Sequence, residues 1–139
     1  FVLGMEQIIS IIIFCECRGE PNIGQHAVAS VIYNELVTTG ELSIQRYAPW
    51  WAVRAKGKDT TIETWAAHAL EIIKQVSVEP VEAAAWEKSK EWGKRVVSGQ
   101  FKPIGPWTHF YSINGVAPAW ALDGKDIQKI GNHIFLRLE

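Results

Sequence analysis

The chain opens on a stretch that is apolar on almost every side. Leu3, Ile8, Ile9, Ile11, Ile12, Ile13 and Phe14 leave no continuous polar stripe. Such a run predicts a core helix over residues 3 to 18. Its β-branched content also suits a buried strand, but its length favours helix, and Gly19 and Pro21 stop it. A second helix is predicted over about 22 to 38. Asn22 with Gln25 three residues later has the form of a capping box. Ala27, Val28, Val31, Ile32 and Leu36 then share one face, and Gly40 ends the helix. A third helix starts near Thr60, with Glu63 completing another box and Trp65, Ala69, Ile72, Ile73 and Val76 as its inner stripe. Pro80 interrupts. The fourth runs from about Val81 to Ser98, with Trp86, Val96 and Val97 as burial candidates and Gly99 as its C-terminal stop.

Residues 41 to 58 and 100 to 139 carry no helical period. Within the second stretch, Thr108 to Ile113 and His133 to Leu138 read as short strands that pair antiparallel. The expected class is α+β, predominantly helical, with a small antiparallel β element near the C-terminus. Repeats, low-complexity tracts and long linkers are absent from the sequence. The 139 residues therefore read as one domain, 1–139, large enough to bury a core.

Composition narrows the function classes. Hydrophobic content of 47% and charged content of 21% are ordinary for a globular chain. A formal net charge of −1 removes any strong whole-molecule attraction to nucleic acid or an anionic membrane. The apolar run Ile8–Phe14 is too short to span a bilayer and lacks the features of a signal peptide. Because the first residue is Phe1, the chain is expected to be processed or cut from a longer polypeptide. Cys15 and Cys17 lie two residues apart, a poor geometry for a bridge, and are expected to be small buried thiols.

The chemistry centres on Glu16, which follows Ile9, Ile12 and Ile13 on its own side of the first helix. A carboxyl backed by apolar side chains is partly desolvated and stays protonated nearer neutral pH. A general acid that protonates a glycosidic oxygen needs that state. The alternative is a helix-end glutamate exposed to water or paired with Arg18. Glu20 shares a face with Glu16 only if the helix continues; otherwise it caps a backbone amide or pairs with a cation in the turn. Trp50 and Trp51 sit among basic residues, where flat aromatic faces stack on sugars, grip single-stranded nucleic acid or anchor a loop. His26, His68, His109 and His133 form no HxxxH or HExxH pattern, so neither metal nor cofactor is expected. His109, in Thr108-His109-Phe110-Tyr111, is the histidine expected to face a cleft.

Several segments together resemble a known family. Phe14-Cys15-Glu16-Cys17-Arg18-Gly19-Glu20-Pro21, Gly24-Gln25 and Ala27 to Asn34 resemble the opening motif of the SleB/CwlJ-type cell wall hydrolases. That family includes spore-cortex-lytic enzymes and phage relatives. Thr108 to Tyr111, Pro118-Ala119-Trp120-Ala121 and Ile130 to Phe135 resemble its closing segments. The resemblance implies a lysozyme-like helical core and cleavage of peptidoglycan between N-acetylmuramic acid and N-acetylglucosamine. It also implies Glu16 as the catalytic glutamate. Lys102-Pro103-Ile104-Gly105-Pro106-Trp107 departs from the family pattern and points away from spore cortex, toward vegetative wall.

The expected chemistry is a one-glutamate cleavage, as a lytic transglycosylase or muramidase. Glu20, Gln25, Trp51, His109, Tyr111 and Trp120 are the expected substrate-binding residues. The expected partners are peptidoglycan glycan strands, with other virion proteins added if the chain is phage-encoded, and the expected place of action is the bacterial cell wall. No nucleic acid and no membrane insertion are expected. Rival readings are a non-catalytic glycan-binding module using Trp50, Trp51 and Trp120, and a structural virion module that retains the hydrolase fold.

Overall fold

A computed structural model describes residues 3–47 and 61–138. They divide into two compact units, each assembled from separate stretches of chain: Phe1–Arg18 with Leu42–Phe101, and Gly19–Glu41 with Lys102–Glu139.

The first unit is helical. It contains α1 (Met5–Cys17), a single turn α3 (Ile44–Tyr47), α4 (Ile62–Val76) and α5 (Pro80–Val97). α1 packs mainly along α5, with α4 beside it. Every α1 residue from Ile8 to Phe14 is buried, as an all-round apolar helix requires. The α1–α5 approach is close because position 93 is glycine. A Cβ there would press into the Ser10 hydroxyl and the Glu6 carbonyl, which already bond to each other at 2.8 Å. Trp92 and Val96 flank that contact and are buried.

Several expectations shift by part of a turn. The α4 cap is Thr61, whose hydroxyl accepts the Thr64 amide at 3.1 Å. The buried stripe of α4 is Trp65, Ala66, Ala69, Leu70 and Ile73, whereas Ile72 and Val76 are exposed. On α5 Val96 is buried as expected, but Trp86 is only half-buried and Val97 is exposed; Trp92, which the pattern did not single out, is buried instead. Neither cysteine forms a disulfide, and only Cys17 is buried; Cys15 is exposed. Pro80 starts α5 instead of merely breaking the chain, since its missing N–H is unpaired in a first turn anyway. Gly99, at φ +81°, follows the end of α5 as expected.

The second unit holds α2 (Asn22–Thr39) and a three-stranded antiparallel sheet in the order β1-β3-β2. The strands are β1 (His109–Ser112), β2 (Lys125–Ile130) and β3 (His133–Arg137), with a 3₁₀ turn at Ala119–Asp123. The expected pairing of β1 with β3 forms, with Phe110 opposite Phe135 and Tyr111 opposite Ile134. β2 was not foreseen. Its residues Lys125 to Lys129 are all exposed, so it carries no apolar alternation to read. Gly131, at φ +59°, occupies the first position of the two-residue β2–β3 turn, where a left-handed glycine is favoured. Gly40, at φ +80°, closes α2 by donating to the Leu36 carbonyl at 2.9 Å.

The Asn22–Gln25 box does not form. Pro21 is the N-cap of α2 and makes no side-chain cap, and the Gln25 amide donates instead to the Glu20 carbonyl at 3.0 Å. One edge of α2 is laced to the segment 102–107. His26, Ser30 and Asn34, spaced four apart, bond to the Lys102 carbonyl, the Ile104 amide, and the Gly105 and Trp107 carbonyls at 2.8–3.1 Å. Trp107 is buried against Phe135 and donates its indole N–H to the Asp126 carbonyl at 2.9 Å. Asp126 adopts φ +54° at a bulge in β2 and is tied there by Arg137 at 2.7 Å.

Candidate functional site

Glu16 lies in the last turn of α1. The residues one and two turns before it, Ile9, Ile12 and Ile13, are fully buried. Glu16 itself keeps partial exposure. Burial alone pushes its carboxyl up to about 8. Among the described residues no hydrogen bond or ion pair stabilises its charged form. The pairing with Arg18 left open by the sequence does not occur. The Arg18 guanidinium donates from Nε to Glu82 of α5 at 2.9 Å and from Nη1 to the Phe14 carbonyl at 3.1 Å. It also lies 4.3 Å above the Phe14 ring. The result is a carboxyl that holds its proton at neutral pH yet reaches solvent, which is the state required of a general acid.

In the second unit, Glu20 caps a turn. Its Oε1 accepts the Asn132 backbone N–H at 2.7 Å and its Oε2 accepts the Asn132 side-chain amide at 3.0 Å. The His133 Nδ1 is 3.3 Å from the same carboxylate. Desolvation is the largest single influence and raises Glu20, but the two Asn132 bonds and His133 outweigh it and hold the carboxyl below its usual range. Both oxygens are therefore engaged within the fold. Gln25 is buried beside the same turn and holds the Glu20 carbonyl.

His109, Tyr111 and Trp120 come together. Strand alternation places His109 and Tyr111 on one face of β1 and Phe110 on the other. Trp120, from the 3₁₀ turn, covers the first face. Its ring lies 4.9 Å from the His109 ring and 6.1 Å, edge-on, from the Tyr111 ring. Trp120 remains 36% exposed, so an aromatic surface faces solvent between polar ring atoms. The Thr108 hydroxyl is 2.8 Å from His109 Nδ1 and orients the imidazole. On the opposite face Phe110 packs on Phe135 and His133 at 5.8 and 5.3 Å.

Trp51 lies outside the described residues, as does Trp50. Sequence reasoning missed Glu82, Asn132 and His133 as partners. Glu82 is one of three glutamates along α5, and nothing local singles it out. Asn132 and His133 were visible in the Ile130–Phe135 motif, but nothing local ties them to Glu20. Among the described residues no three His, Cys, Asp or Glu side chains gather as a metal site, and no helix is long and apolar enough to cross a membrane. No protein-family model, curated protein or solved structure matches this chain.

Proposed function

We propose that this chain cleaves peptidoglycan glycan strands between N-acetylmuramic acid and N-acetylglucosamine, with Glu16 as the single general acid and base. The resemblance to SleB/CwlJ-type hydrolases suggested the substrate, and a lysozyme-like helical core belongs to the same proposal. The observation that carries the reading is the Glu16 carboxyl, raised to about 8 by burial against an isoleucine-rich helix with no compensating partner among the described residues. An ordinary surface glutamate is ionised at neutral pH and has no proton to give.

The reaction runs in two steps. Protonated Glu16 donates to the glycosidic oxygen as the bond from muramic acid C1 to that oxygen breaks, and the leaving sugar departs as an alcohol. The muramic acid 6-hydroxyl then attacks C1 and forms a 1,6-anhydro ring, and ionised Glu16 takes the hydroxyl proton. One carboxyl returns to its starting state. Hydrolysis with a nucleophilic or water-orienting second carboxylate is less well supported. Glu20, the nearest carboxylate in sequence, is bound at both oxygens to Asn132. The Trp120 surface with Tyr111 and His109 is the part of the second unit suited to stacking on a sugar ring and bonding its hydroxyls.

The test is mass spectrometry of purified peptidoglycan after incubation with the chain and with Glu16→Gln. Anhydro-ended fragments from the first and none from the second are expected. Reducing ends indicate hydrolysis in place of transglycosylation. Intact strands that nonetheless retain the chain indicate the glycan-binding reading, which the exposed aromatic surface favours among the rivals.

A further inference from the structure

Arg18 stands two residues from the acid and is the cation closest to it in sequence. A guanidinium on the last turn of α1 that swung to within about 4–6 Å of the acid would favour the carboxylate form and lower its pKa. The structure holds it elsewhere. At 3.6 residues per turn, Glu16 is about 200° round α1 from Phe14, on the opposite side of the helix. Arg18 folds back over Phe14: it stacks on that ring at 4.3 Å, bonds the Phe14 carbonyl at 3.1 Å and is closed off by Glu82 at 2.9 Å. Phe14 is in turn fixed edge-on against Trp86 of α5 at 5.7 Å. Glu82 sits in the first turn of α5, where the helix dipole favours a negative charge.

We propose that Glu82 is a positioning residue which holds Arg18, the cation nearest in sequence to the catalytic acid, on the far side of α1 from it. This rests on the reading of Glu16 as that acid. The pattern of influences around α1 agrees. At Cys15 the thiol is raised first by desolvation and then by the Glu16 charge, and Arg18 pulls it down; at Glu16 burial is the only influence among the described residues. No charged group of α4 or α5, the two helices packed against α1, acts on the Glu16 carboxyl. Arg18 and Glu82 are partly exposed, with side chains 38% and 28% accessible, so the pair itself contributes little to stability. Its consequence is electrostatic.

The test is a carbon-13 NMR titration of the Glu16 carboxyl in the intact chain, assigned by its loss in Glu16→Gln. In Glu82→Gln the released guanidinium is expected to lower the Glu16 midpoint by about one pH unit. The double variant Arg18→Gln/Glu82→Gln, which removes the cation as well, is expected to return it to the parent value. An unchanged midpoint in Glu82→Gln overturns the proposal. So does a fall that persists in the double variant, because Glu82 would then act on Glu16 through its own charge. Glu82→Asp keeps the charge but shortens the reach, and is expected to give a smaller fall; it decides the matter if Glu82→Gln does not fold by circular dichroism, with no fall again overturning the proposal. The titration is independent of catalysis. If the midpoints move as expected and peptidoglycan stays intact, the proposed function fails and the positioning of Arg18 stands.

Discussion

Glu20 and Asn132, 112 residues apart in sequence, are joined by two hydrogen bonds to one carboxylate, at 2.7 and 3.0 Å. The bonds tie the turn leading into α2 to the β2–β3 turn. Glycine at 131 is required by this contact, since a Cβ there would meet the Glu20 carboxylate. Glu20→Ala is expected to lower the unfolding free energy by about 2 kcal/mol, from the loss of charge-assisted bonds in a nearly covered setting. Urea denaturation of the two proteins measures it.

The same corner contributes a loss of stability in acid. His133 is held below its ordinary value of 6.5, chiefly by burial and against the pull of Glu20; Glu20 is held below 4.5. In each case the folded state binds fewer protons than the unfolded chain, so stability falls as pH falls. The loss is expected to begin below about pH 6.5 through His133 and to deepen below about pH 4.5 through Glu20. In a Glu16→Gln background, which removes the opposing titration of Glu16, denaturant midpoints at pH 7, 5.5 and 4 should fall in that order, and His133→Phe should remove most of the first interval's change.

Glu16 has the opposite sign. Its folded value of about 8 lies above its ordinary 4.5, so its contribution to stability is present in full below pH 4.5 and is lost as pH rises through 8. Glu16→Gln is expected to match the parent near pH 4.5 and to exceed it in stability at pH 9, while releasing no fragments from peptidoglycan. Thermal unfolding at both pH values checks the first part, and fragment release the second.

Gly93→Ala places a methyl group against the Ser10 hydroxyl and the Glu6 carbonyl at the α1–α5 crossing. Backbone on one side cannot yield without moving a helix. A loss of about 1–3 kcal/mol is expected, read from chemical denaturation.

Trp120→Ala removes the exposed face of the aromatic surface while leaving β1 paired with β3. Binding of a Glu16→Gln protein to insoluble peptidoglycan is expected to weaken by about tenfold on this change, the size of one lost aromatic contact. Unchanged sedimentation with the wall would remove Trp120 from the binding surface.

Local rules carried far along this chain. The all-round apolar run made α1, and the left-handed glycines at 40 and 99 ended α2 and α5 where the periodicity did. Alternation in Thr108–Ile113 and His133–Leu138 was enough to pair β1 with β3. The placement of Glu16 after three isoleucines was legible too, because the neighbours that desolvate it lie within two turns of the same helix. These features depend on a few consecutive residues and on the φ and side-chain angles each residue type allows.

Tertiary packing decided the rest. β2 is a strand because β3 offers it a hydrogen-bonding edge, not because its charged residues favour one. Ala66 and Leu70, and not Ile72 and Val76, face inward on α4, since the rotation of a helix is set by what it packs on. Arg18 chose Glu82 across 64 residues over Glu16 two residues away, and Glu20 chose Asn132 over any partner in its own turn. Such pairings join side chains brought close only by the folded chain, so the charge around the acid is a property of the packed helices and its apolar backing a property of the sequence.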